Sequence, residues 1–169
     1  MGADVLDVQW KEVVHMDDIK VILGNIRAEE KRMSDGLAMY LVLQGKLQVE
    51  INGLLSCFEK DSCFCLNEGD ICRFQGEETN VTIGIILGSI FLNEQAPELT
   101  KYLFYCDDTM GEAYTLLKKG IADTAFAYLS QEENSRFLFQ SFLFKTLSNL
   151  LQYFKKGNRP ENIKQTVHN

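Results

Sequence analysis

Leu47, Val49 and Ile51 alternate with Gln48 and Glu50, the two-residue period of a strand with one apolar face. Just before it, Leu37–Leu43 (LAMYLVL) is an apolar strand without alternation. Gln44-Gly45 and Asn52-Gly53 bracket the alternating strand as turn dipeptides. Asp4–Val14 reads as an extended leading segment carrying Val5, Val8, Trp10 and Val13, and Ile19–Ile26 as a second strand. Further strands are predicted at Leu55–Glu59, Ser62–Leu66, Ile71–Gln75 and Val81–Phe91, with a tight turn at Glu68-Gly69-Asp70. Short strands at roughly 8–12 residue spacing, closed by Gly or Asn, argue for a β-sandwich or barrel.

From about residue 95 the texture becomes helical. Ala96–Tyr105 reads as a short helix with Pro97 in its first turn. Asp107, Asp108 and Thr109 can cap a helix over Met110–Lys119 that ends at Gly120. Ile121–Leu129 is a third helix. The longest is Glu133–Lys156, stopped by Gly157, with Lys155 and Lys156 at its negative dipole end. The chain thus divides into a strand-rich part over 1–92, a helical part over 93–157, and a short tail over 158–169. In that tail Asn158-Arg159-Pro160-Glu161 signals a new helix start. We expect the natural protein to continue beyond it.

The longest helix is apolar around most of its circumference, whereas a surface helix needs only about a 100° stripe. Two readings stand. The helix is buried within its own monomer, or one face covers the strand half and the other meets a partner copy. We take the second as the expectation, with Phe139, Phe142, Leu143, Leu147, Leu150 and Phe154 as the interface of a homodimer.

Composition narrows the function. The chain has 169 residues and a net charge of −7, which argues against a phosphate-binding surface of its own. Hydrophobic content is 46%, ordinary for a folded domain. No apolar run reaches the roughly 18 residues of a membrane span, and the first residues lack a secretory pattern. Leu6 stands where a myristoylation motif wants Ser or Thr. A cytoplasmic protein without a membrane partner is expected. The five cysteines, Cys57, Cys63, Cys65, Cys72 and Cys106, then read as reduced thiols, chiefly core packing, with metal or redox roles as the alternative. Strand parity puts Cys63 and Cys65 on one face and Phe64 on the other.

The run from Tyr40 to Gly53 (YLVLQGKLQVEING), followed by Leu66-Asn67-Glu68-Gly69-Asp70-Ile71, resembles the cupin barrel, and more narrowly the amino-terminal sensor domain of AraC-type transcription regulators. The match runs over residues 37–74 and continues loosely through Tyr105-Cys106-Asp107. The resemblance implies an α+β fold: a cupin-like β-barrel, or jelly roll, followed by a helical segment. It implies an effector-sensing and dimerisation module whose DNA-binding helix-turn-helix domain lies outside this chain. The tail Glu161–Asn169 is similar to the linker helix into that domain. Enzymatic cupins hold a metal on His and Glu side chains. Here Ala38 stands at the family's Glu position, no His lies near Lys31–Ser34, and Asn80 stands near the second motif's His. No catalytic metal, no cofactor and no enzymatic activity are therefore expected. A cyclic-nucleotide-type sensor is the first alternative, but no Arg-Ser/Thr-Ala follows Gly76-Glu77 to cradle the phosphate, and a metal-dependent cupin enzyme is the second, weakened by the missing His ligands.

A cupin barrel encloses space for a small-molecule effector. If Ala38 faces inward, parity brings Tyr40 and Val42 inward too. Arg73 and Asn80 are polar lining candidates, and Trp10 a candidate lid. Each has a plainer reading. Tyr40 and Val42 would be core, Arg73 a surface residue, Trp10 a packing anchor, and Phe58, Phe64 and Phe74 would fill the cavity.

Overall fold

A computed structural model describes residues 9–12, 18–76 and 79–160, with backbone alone at 9–12. Its organising element is one strand, β4 (Gly36–Ile51). Its first half pairs with β8 (Asn80–Gly88) on one side and β6 (Cys63–Leu66) on the other. Its second half pairs with β5 (Leu54–Glu59) and β7 (Ile71–Phe74). Beyond β8 lie β2 (Ile19–Gly24) and β1 (Gln9–Glu12), and beyond β7 lies β3 (Arg32–Met33). All these pairings are antiparallel.

The expected reversal at Gln44-Gly45 is corrected: the chain bends there but continues as one strand. Register shifts between Val42 and Gln44, and Gly45 takes φ 76°. A Cβ there would sit 2.1 Å from the Thr79 carbonyl oxygen. Glycine thus serves a bend between two half-sheets, where a bulge and a positive φ redirect the strand. The turn at Asn52-Gly53 is a true hairpin, closed by the Ile51–Leu54 pair.

The bend folds the half-sheets over one another. Ala38, Tyr40, Val42, Phe64 and Leu66 from one half meet Leu47, Val49, Cys72 and Phe74 from the other in a buried cluster. The opposite face of the first half-sheet carries Leu37, Met39, Leu41, Ile83, Ile85 and Leu87 into a second cluster beneath the helices. LAMYLVL is therefore apolar at every position because both its faces are covered. LQVEI alternates because only Leu47 and Val49 of its side chains are fully buried.

The helical layer begins earlier than predicted. β8 ends at Gly88, and α1 (Ser89–Gln95) occupies the end of the expected Val81–Phe91 strand. The helix expected over Ala96–Tyr105 is instead a 3-10 turn at Pro97–Lys101 followed by strand β9 (Tyr102–Phe104). Asp107 does cap, its carboxylate accepting from Thr109 N at 2.9 Å before a short 3-10 turn.

The two helices expected on either side of Gly120 are one, α2 (Glu112–Leu129). Gly120 is an internal crossing point: a Cβ there would meet Thr146 Oγ1 at 2.3 Å. Thr146 belongs to α3 (Ser135–Tyr153), which packs along α2. The longest helix stops before Lys155, which with Lys156 falls in strand β10 (Lys155–Asn158), antiparallel to β9. The predicted tail helix over 161–169 lies outside the described residues. No helix among the described residues is long and apolar enough to cross a membrane.

Candidate functional site

The space between the half-sheets is filled by aromatic rings. Phe58 stacks on Phe64 at 4.1 Å between centroids, Phe64 on Tyr40 at 4.9 Å, and Tyr40 meets Phe74 edge-on at 5.5 Å. Ala38 and Val42 are buried in the same cluster. The plainer readings of Tyr40 and Val42 as core, and of a cavity filled by Phe58, Phe64 and Phe74, match this arrangement. Phe58 is the half-buried member, at the end of the stack.

One polar group reaches into the stack. Arg32 is the cation that bears on the Tyr40 hydroxyl. Arg32 Nε donates to Glu29 Oε2 at 3.2 Å, and its Cζ lies 6.0 Å from the Phe74 ring centroid. Burial pushes the Tyr40 hydroxyl well above its ordinary pKa, and Arg32 pulls it the other way. This tyrosine therefore stays protonated, an uncharged donor or acceptor. Arg32 was not among the predicted residues. It lies in a polar run, 27–35, where neither period is legible.

The remaining predicted residues fall in different places. Asn80 is buried, but its amide is committed. Its Oδ1 accepts from Ile26 N at 3.1 Å and from Thr82 Oγ1 at 2.8 Å, and its Nδ2 donates to Ile26 O at 3.0 Å. It ties β8 to the segment after β2. Arg73 is corrected as a lining residue. It is exposed between buried Cys72 and Phe74, because strand parity admits only one of Arg73 and Phe74 inward. Trp10 lies on β1, with its backbone opposite Ile22 and its side chain outside the described residues.

The predicted interface set is also corrected. Phe139, Leu143, Leu147, Leu150 and Phe154 are buried in the subunit's own core, and Phe142 packs partly buried against it. The large apolar side chains α3 leaves outside are Phe137, Leu138, Phe144 and Tyr153, with Phe137 62% exposed. Phe144 also borders a groove of about 220 Å³ with Ala96, Leu99 and Leu151. Helical periodicity over-read α3 because consecutive apolar residues on it serve opposite faces.

The last described strand is docked onto the turn between β6 and β7. Asn67 reaches β9 with a reciprocal pair: Nδ2 donates to Phe104 O at 2.9 Å and Oδ1 accepts from Phe104 N at 2.8 Å. β9 in turn pairs with β10. Arg159 N donates to Lys101 O at 2.8 Å, and its guanidinium bonds Glu68 Oε2 at 2.6 Å. This ion pair is mostly shielded, at 22% and 33% side-chain exposure. A path of bonded groups thus runs from the Glu68-Gly69-Asp70 turn to the last described strand.

No protein-family model matches this chain. No curated relative matches it either. Solved structures do resemble part of it. A cupin superfamily protein from Desulfitobacterium hafniense is 15% identical, with a TM-score of 0.43, covering 49% of this chain and 79% of its own. A cupin-2 domain protein from Shewanella frigidimarina is 14% identical, with a TM-score of 0.36, covering 45% and 78%. The Cnp3 cupin domain from Schizosaccharomyces pombe is 15% identical, with a TM-score of 0.39, covering 54% and 66%.

Proposed function

We propose that the chain is the regulatory module of a transcription regulator, sensing an effector and self-associating, with DNA bound by a helix-turn-helix domain outside residues 1–169. It performs no catalytic step in this reading. The observation that carries it is the docked exit strand, β10 on β9 with Arg159 on Glu68. A module that must report its state to a following domain needs its last segment held in one of two positions, so that a ligand preferring one shifts the population.

The sequence resemblance supplies the effector-sensing role, and the site geometry narrows what an effector would meet. The aromatic stack leaves it the place of the half-buried Phe58 ring on Phe64, and the Arg32–Tyr40 pair as its polar contact. A flat apolar molecule with one acceptor group fits that chemistry. Self-association would use the outward face of α3, through Phe137, Leu138 and Phe144, which are costly to leave in water at about 25 cal/mol per Å².

Size-exclusion chromatography with light scattering tests the assembly. A dimer at micromolar concentration is expected, converted to monomer by the double change Phe137→Ser and Phe144→Ser. A monomeric parent chain removes the dimer. The coding sequence past Asn169 tests the rest: two helix-turn-helix units within roughly 100 residues, about one small domain, are expected, and a stop codon there ends the proposal.

A further inference from the structure

Three thiols that this reading does not use converge beneath the helical layer. Cys63 and Cys65 project from the same face of β6, as parity predicts. Cys106 comes from the loop after β9, two residues past Phe104, and lies with them in or against one apolar cluster. Cys65 Sγ also donates to Phe104 O at 3.2 Å. Cys63 N donates to Tyr114 Oη at 2.9 Å, and Lys118 Nζ lies 5.0 Å from the Tyr114 ring centroid. The hydrogen bond from Cys106 holds the Cys63 thiol below its ordinary pKa against desolvation, helped by Tyr114 and Lys118. Cys106 is pushed well above the ordinary value by its bonds to Cys63 and Cys65 and by burial. Of the two, Cys63 is the thiol held toward its thiolate form and Cys106 the one held toward its thiol form.

A disulfide requires Cα atoms within about 7 Å and Cβ vectors that converge. Cys63 and Cys65 stand two residues apart in one strand, at roughly 6.6 Å with parallel side chains, which is poor geometry for a bridge. Cys106 lies outside any ladder, so its backbone is free to close on a partner. Cys57 and Cys72 belong to other strands, β5 and β7.

We propose that Cys63 and Cys106 form a peroxide-oxidisable dithiol whose product is an intrachain disulfide. The Cys63 thiolate attacks one oxygen of a hydroperoxide. An S–O bond forms, the O–O bond breaks, and the leaving alkoxide or hydroxide takes a proton. The Cys106 sulfur then attacks the Cys63 sulfenic sulfur. The S–S bond forms, the S–O bond breaks, and hydroxide leaves as water with the Cys106 proton. Two thiols are oxidised and one peroxide is reduced to an alcohol, or water, plus water. Cys106 is itself buried, but its neighbour Tyr105 is 59% exposed, so this loop is the side of the pair nearest solvent. The bridge withdraws Cys106 from Cys65, two residues from the Phe104 rung that pairs with β10.

The test uses the chain with Cys57→Ser, because exposed Cys57 would otherwise cross-link copies. The protein is treated with excess hydrogen peroxide, alkylated in denaturant, digested and mapped by mass spectrometry. The expected product is a peptide pair linked through Cys63 and Cys106, two hydrogens lighter than the reduced chain and reversed by dithiothreitol. The link persists with Cys65→Ser and is lost with Cys106→Ser. Full alkylation of Cys63 and Cys106, a bridge made only through Cys65, or oxidation to unlinked sulfinic acids overturns the proposal. The map of the Cys57→Ser chain alone decides this, so a core variant that fails to fold changes nothing.

Discussion

Replacing Gly120 with alanine sets two effects of opposite sign against each other. In an exposed helix interior Gly→Ala stabilises by about 1 kcal/mol, through lower unfolded-chain entropy. In α2 the new methyl would lie 2.3 Å from Thr146 Oγ1, 3.2 Å from its Cβ and 3.3 Å from its Cγ2. Rotating Thr146 about χ1 moves the hydroxyl but leaves the Cβ contact. It also breaks the bond from Oγ1 to Phe142 O at 2.7 Å, in a residue only 1% exposed. Overpacking costs about 1–3 kcal/mol, and a buried hydroxyl left unpaired about as much again. Subtracting the propensity gain leaves a net loss of about 1–5 kcal/mol. At this size that lowers Tm by about 2–4 °C per kcal/mol. Thr146→Ala alone loses its hydrogen bond and some packing, about 1 kcal/mol. Combined with Gly120→Ala, the alanine methyl refills part of the space, and the double variant returns to within about 1 kcal/mol of the parent. Urea and thermal unfolding of the four proteins measure the cycle. A stabilised Gly120→Ala single variant, or additive effects, would refute the close crossing of α2 and α3.

Three other perturbations probe the site. Phe64→Ala removes the middle ring of the stack and should cost about 3–5 kcal/mol. Benzene should raise the Tm of that variant and not of the parent, since a dry apolar hole binds it; no differential shift would mean the space has collapsed or is wet. Arg159→Ala should change global stability by no more than about 1 kcal/mol. It should nevertheless speed tryptic cleavage after exposed Lys155 and Lys156 several-fold, and unchanged cleavage kinetics would show that the ion pair does not hold β10. The side-chain and backbone bonds from Thr109 hold the Asp107 carboxyl below its ordinary value of 3.8. A depressed folded pKa means its stabilisation is complete above that value and is lost as pH falls through the lower, folded one. The urea midpoints of the parent and Asp107→Ala should therefore differ near neutral pH and converge in acid; a gap that persists there rules out the carboxylate.

What could be read from the chain was set by period. Where burial is one-sided, as in Leu47–Ile51, alternation gives strand and facing together, and Cys63/Phe64/Cys65 sorted correctly by the same rule. Glycine was the weak point. Gly45 and Gly120 look like terminators, since a turn, a helix end, a bend and a tight crossing all select the same missing Cβ. Only the neighbours, Thr79 and Thr146, distinguish them, and both are remote in sequence. Arg73 was misplaced by ignoring parity with Phe74, whereas Arg32 and the Cys106 partnership carried no local signal to read.

The end of α3 shows why the exit strand was invisible and why that matters. Sequence alone extends the helix to Lys156, because Lys and Gly make a favourable C-terminus. In the fold, Phe154 leaves helical geometry at ψ 18° and is 2% exposed, and its carbonyl accepts from Tyr105 N at 3.0 Å. Burying that ring against the core outweighs another helical turn. The chain then emerges beside β9 as Lys155–Asn158, exposed at all its positions. Such a strand has no apolar face to announce it; backbone bonds, the Arg159–Glu68 pair and the Lys155 ammonium 4.4 Å from the Tyr102 ring centroid hold it. Those bonds are each worth about 1 kcal/mol net, against the several kcal/mol per residue-sized ring that fixes Phe154. The segment up to Phe154 is therefore committed and the segment after it is poised. A ligand needs only a few kcal/mol of differential affinity to release it, which is the switch that the proposed regulatory reading calls for.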